Sequence, residues 1–203
     1  MAHIDAKIIV DFMNYARNLR ADEFIKNMLL CFAAPTISGI KAACLINFRR
    51  HAHEDMRSLW LEHSDEWLRD LRLQSVLLNE HSRNMNALVL VYRLELLAEA
   101  LRCEQACSLL AEYGYPVEDA EACVECLRKK FCSGFPHEIG VFLSYPPEDV
   151  RGFIENRKPE CSECFCCWKV YSNPERAREI SLMYKRAECE AARLLLAGKV
   201  NYK

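Results

Sequence analysis

Two runs decide the fold: SVLLNE at 75–80 and ALVLVY at 87–92, separated by the polar His81-Ser82-Arg83-Asn84. Short apolar runs around a short polar turn read as an antiparallel hairpin. The second run carries apolar side chains at every position from Leu88 to Val91. In a strand, successive side chains point to opposite faces, so an unbroken apolar run predicts a strand covered on both sides.

Working outward, Ala43 to Phe48 reads as a further strand, and Cys166 to Tyr171 alternates as a fourth. Helical spacing of apolar residues predicts one broken helix or two short ones over 5–32 (Ile8, Phe12, Tyr15, then Phe24, Met28, Leu29, Phe32), ended by Pro35 and Gly39. A helix over 54–72 follows, with Trp60, Trp67, Leu68 and Leu71 on one side. Further helices are predicted over 94–113, 117–131 and 148–156. A long one opens at Asn173-Pro174 and closes near Gly198, Asn being a good N-cap and Pro a good first helical residue. The order predicts an α+β fold: a small antiparallel sheet of about four strands, a split βαβ unit of ferredoxin-like type, with helices on one face. One domain is expected over 1–203, made of a helical extension (1–32), the α+β core (33–171) and the C-terminal helix (173–198).

Composition narrows the function. Lysine plus arginine number 27 against 29 acidic residues, a net charge of -2, which supplies no cationic face for nucleic acid. Charges at Lys7, Asp11 and Arg17 interrupt the start of the chain, so no export signal is expected, and no uncharged run approaches the roughly 18 residues of a membrane span. Twelve cysteines in such a chain point to a reducing, cytoplasmic setting. Scattered single glycines give no phosphate-cradling loop and no dinucleotide fingerprint.

Four segments carry more polar and aromatic character than a core needs: APTISGIK at 34–41, FPHEIG at 135–140, YPPEDV at 145–150 and WKVY at 168–171. His137 and Glu138 read as an acid–base pair or two metal ligands, although adjacent helical residues diverge by about 100°, or else as a helix-start cap and a carboxylate at the favourable dipole end; Asp149 is a further catalytic carboxylate. Thr36, Lys41, Arg93, Tyr145, Lys169 and Tyr171 are the expected ligand contacts. The competing reading has Lys169 and Arg93 as ordinary surface and strand-end cations. Cys103, Cys107 and Cys123 fall in apolar helical rows and read as small core residues. Cys161, Cys164, Cys166 and Cys167 form C-x-x-C-x-C-C, a pattern able to hold zinc or an iron–sulfur cluster, or to act as redox thiols. His51-Ala52-His53-Glu54 reads as a solvated loop.

The segment FPHEIGVFLSYPPEDVRGFIEN followed by WKVY, together with APTISGIK and Val91-Tyr92-Arg93, resembles the bacterial domain of unknown function 3793 of anaerobic Firmicutes. The resemblance implies a cytoplasmic bacterial protein and makes flavodoxin or iron-uptake components candidate partners. It implies no mechanism. The chain departs from the family pattern at Ala33, where a cysteine is usual, and at Ser144 and Cys166, where glycines are usual. Three functions follow: a small-ligand or cofactor-binding domain, an iron- or zinc-associated redox module, or a non-catalytic adaptor using Trp60 and Trp67.

Overall fold

A computed structural model describes residues 6–80, 85–160 and 166–199. In chain order the elements are α1 (Ala6–Ala16), α2 (Ala21–Phe32), α3 (Ala34–Ile37), β1 (Ala43–Phe48), α4 (Met56–Arg69), β2 (Gln74–Leu77) and β3 (Ala87–Tyr92). Then come α5 (Leu94–Leu101), α6 (Glu104–Glu112), α7 (Ala120–Lys130), α8 (Ile139–Phe142), α9 (Pro147–Ile154) and α10 (Pro174–Leu196).

The sheet order is β1-β3-β2, and both outer strands run antiparallel to β3. β1 and β2 are therefore parallel to each other, joined through α4 and separated by β3, which is the split βαβ arrangement. Beyond β2, Asn79 ties the hairpin: its amide donates to the Asn86 carbonyl and its Oδ1 accepts from Leu88 N. The expected fourth strand is not made by the described residues. Residues 166–171 are irregular and only Val170 forms a bridge, because this segment is held by side-chain bonds described below.

Both faces of the sheet are covered, which corrects the expectation of helices on one face. Cys44, Ile46, Phe48, Leu77, Val89 and Val91 belong to a core shared with α1, α2, α4 and the end of α10. Ala43, Leu90 and Tyr92 point the other way, into a core built with α5 to α9. The continuous apolar run of β3 is thus divided residue by residue between two cores. Trp60 and Trp67 are buried, with Trp60 stacked on Phe48 at 5.1 Å between ring centroids. Neither offers a surface to a partner.

The helix expected over 94–113 breaks after Leu101, and Cys103 becomes the exposed residue preceding α6. Cys107 is half-buried and Cys123 buried, so of the three expected core thiols only Cys123 is fully enclosed. At 51–54, His51 is stacked on Phe24 at 4.2 Å and its Nε2 lies 2.7 Å from the Leu19 carbonyl, so this imidazole is anchored and not merely solvated. No described helix is long and apolar enough to cross a membrane.

Local caps follow the sequence. The Asp119 carboxylate accepts from Glu121 N and Ala122 N at the start of α7. Asp119→Ala is expected to cost about 1 kcal/mol, measured as a shift in the urea midpoint at unchanged slope.

Candidate functional site

Pro35 starts α3 and the left-handed Gly39 (φ 75°) ends it, with Ile40 N and Lys41 N both donating to the Pro35 carbonyl. This tight turn sets Lys41 just before β1. Beside it, the chain turns after α8 through Ser144, whose φ of 58° lies in the left-handed region. Glycine would adopt that geometry without strain, whereas a serine does so at some cost. Here the serine hydroxyl accepts from Ala42 N at 3.0 Å, tying the turn to the strand entry. Tyr145 N donates back to the Gly140 carbonyl, and Pro146-Pro147 launch α9.

Between these parts lies a cavity of about 800 Å³. Its border includes Lys41, Cys44, Tyr145, Trp168 and Glu188 within, and Phe135, His137, Phe153 and Lys169 near exposed surface. The segments APTISGIK, FPHEIG, YPPEDV and WKVY therefore converge on one place, each with at least one residue lining it.

Lys41 is the central cation. Its Nζ lies over the ring of Tyr184 at 4.9 Å and that of Tyr145 at 5.4 Å, and no carboxylate among the described residues comes within 4.0 Å. Burial lowers the Lys41 pKa below the ordinary lysine range, against the opposing pull of nearby groups that include Glu188. Burial also raises the Glu188 carboxyl, pushes the Tyr184 phenol up to about 12, and pushes the Cys44 thiol up to about 11. Each of these side chains is driven toward its neutral form by the same desolvated surroundings. A cluster of shifted groups beside a cavity is a recurrent mark of functional sites.

The wall is aromatic. Trp168 stacks on Tyr145 with centroids 4.7 Å apart and planes 24° from parallel. At the rim, the His137 ring meets Phe153 edge-on at 5.0 Å, and Lys169 Nζ lies 5.5 Å above the same Phe153 ring.

Asp149 borders the cavity but is 1% exposed and fully engaged. Its Oδ2 accepts from Trp168 Nε1 at 2.8 Å, while Oδ1 accepts from Tyr171 N at 2.7 Å and Ser172 Oγ at 3.0 Å. It fastens residues 168–172 to α9 and so places Trp168 on the wall. A carboxylate with three donors suits anchoring better than proton transfer.

Other expected residues lie elsewhere. Glu138 faces away from His137, accepting from Tyr115 OH at 3.1 Å with Lys130 Nζ 3.7 Å away. The divergence of neighbouring side chains separates the expected pair. Arg93 leads into α5 with its guanidinium against the Gly39 turn. Thr36 Oγ1 is buried beside the Cys44 thiol, which it meets side chain to side chain. The Tyr171 ring packs on Gly152 of α9. Of the expected metal ligands, Cys161 and Cys164 lie outside the described residues. Cys166 is half-buried, and Cys167 borders the cavity with its Sγ 3.4 Å from Ser181 Oγ. Among the described residues no group of three metal-ligating side chains converges.

Sequence reasoning passed over Glu188, Tyr184 and Cys44. Tyr184 and Glu188 are four residues apart on α10 and share a helical face, a spacing that could have suggested joint action with Lys41.

A family model described as "Protein of unknown function (DUF3793)" matches residues 29–202. No curated protein and no solved structure matches the chain.

Proposed function

We propose, for a chain that belongs to the DUF3793 family and whose family description assigns no activity, that it binds a small, planar, largely apolar molecule whose oxygen-bearing end meets Lys41. The observation that carries this reading is an aromatic-walled cavity of about 800 Å³ bordered by a desolvated ammonium with no carboxylate among the described residues within 4.0 Å. Cavities of this size enclose drug-sized ligands, with a few polar groups fixing orientation. Trp168 and Tyr145 supply a flat wall against which a ring can stack. A cytoplasmic setting belongs to the proposal, supported by the chain's 12 cysteines.

The test uses 8-anilinonaphthalene-1-sulfonate, an anionic aromatic dye, beside the neutral N-phenyl-1-naphthylamine. Both are expected to brighten on binding and to quench Trp168, an effect lost in Trp168→Phe. Lys41→Gln is expected to weaken the sulfonate about 10-fold, equivalent to about 1.4 kcal/mol, and the neutral dye far less. Because Lys41 is cationic only below its lowered pKa, the preference for sulfonate should fade as pH rises, before the ordinary lysine range is reached. Equal binding of the sulfonate to the wild type and Lys41→Gln, with Trp168 fluorescence unmoved, would overturn the reading.

A further inference from the structure

Lys41 has an environment unlike that of an anion-holding lysine on a surface. The ammonium rests on two tyrosine faces from different parts of the chain, Tyr145 ahead of α9 and Tyr184 on α10. Those faces hold its position without consuming its donors. Glu188 of α10 borders the same cavity, and its carboxyl acts electrostatically on Lys41. Most of the remaining wall is apolar: Met28, Phe32, Ile46, Leu143 and Val150 all contribute.

An amine, a separate proton donor and an apolar enclosure are together what carbonyl condensation requires. From this juxtaposition, and resting on the ligand-binding reading above, we propose that Lys41 captures the carbonyl group of an aromatic aldehyde or ketone as an imine. The neutral Nζ attacks the carbonyl carbon, forming the C–N bond as the C=O π pair moves onto oxygen. That oxygen takes up the proton lost from nitrogen, giving a carbinolamine. Glu188 then protonates the hydroxyl, the C–O bond breaks, and the nitrogen lone pair forms C=N. One water leaves. The product is an iminium cation, with the Glu188 carboxylate as its counter-charge.

Three features favour each stage. Burial lowers the Lys41 pKa and raises that of Glu188, so the same desolvated surroundings favour the free amine and the protonated carboxyl that the two steps use. The two tyrosine faces that hold an ammonium hold an iminium equally well, since the attraction is to the ring quadrupole. The apolar wall disfavours the return of water that would hydrolyse the product.

The experiment incubates the full chain with 2-naphthaldehyde and sodium cyanoborohydride at neutral pH, then measures intact mass and maps the modified peptide. One naphthylmethyl group per chain is expected, on Lys41, forming faster than on any other lysine and slowed by competing 8-anilinonaphthalene-1-sulfonate. Lys41→Arg, checked for folding by its thermal melt, should lose the fast label entirely. Glu188→Gln should slow it by on the order of 100-fold, the contribution of a positioned proton donor. Labelling spread evenly over surface lysines while the dye still binds and quenches Trp168 would overturn the imine and leave the binding reading standing. Failure of both dye binding and Lys41 labelling in the folded wild type would overturn both.

Discussion

Asp149→Asn is expected to destabilise the fold by about 3 kcal/mol, although it preserves volume and removes only a charge. The Asp149 carboxylate accepts three hydrogen bonds, and its Oδ2 faces the Trp168 indole N–H at 2.8 Å. An asparagine that keeps its carbonyl toward Tyr171 N and Ser172 Oγ must turn its amide N–H₂ toward the indole, setting donor against donor. Rotating the amide moves the conflict to Tyr171 N. Either way one buried donor is stranded, and the surviving bonds lose their charge assistance. Denaturant unfolding measures the loss. Trp168→Phe removes the stranded donor, so Asp149→Asn should cost about 1–2 kcal/mol less in that background. A cost below about 1 kcal/mol for Asp149→Asn alone would show that the 168–172 segment is held by something else.

The second large effect is expected at Gly152. A Cβ placed there would lie 2.6 Å from Tyr171 Cγ and 2.7 Å from Tyr171 Cβ. The tyrosine cannot turn aside, since one obstructing atom is its own Cβ and its backbone N–H is bonded to Asp149. Gly152→Ala therefore has to push α9 away from the 168–172 segment. Alanine is the better helix former by about 1 kcal/mol, but overpacking of this kind costs about 1–3 kcal/mol and more when backbone must move. A net loss of about 2 kcal/mol is expected in thermal or urea unfolding. Combined with Asp149→Asn the two losses should sum to less than their total, because both act on the same contact. A stabilising Gly152→Ala would refute the close packing of α9 on Tyr171.

Much of this arrangement is legible in the residues. The hairpin and β1 follow from apolar runs, and the helix ends follow from Gly39, Pro147, Asn173 and Gly198. The polar segments singled out for chemistry do meet at one cavity, with His137, Tyr145, Asp149, Lys169 and Lys41 on its border. What the pattern could not convey is partnership. Nothing local distinguishes Asp149 as an anchor, because its three donors lie 19 to 23 residues downstream. The alternation of WKVY mimics a strand, yet its backbone is held by that carboxylate in place of a ladder. Glu188 sits on a long amphipathic helix whose periodicity is satisfied equally well by a solvent-facing carboxylate. The two-sided burial of the sheet was legible in β3 alone, while the count of predicted strands pointed to a one-sided arrangement.

The cavity takes its walls from three distant stretches: residues 28–47, 135–153 and 167–188. During synthesis, a chain that has emerged from the ribosome only as far as α9 already possesses all three strands and most of the aromatic rim. It still lacks Trp168, Tyr184 and Glu188. Until α10 docks, Lys41 lacks the Tyr184 face and the Glu188 carboxyl. The surroundings of this amine are thus completed only once α10 is in place, long after the strand entry that carries it has been made.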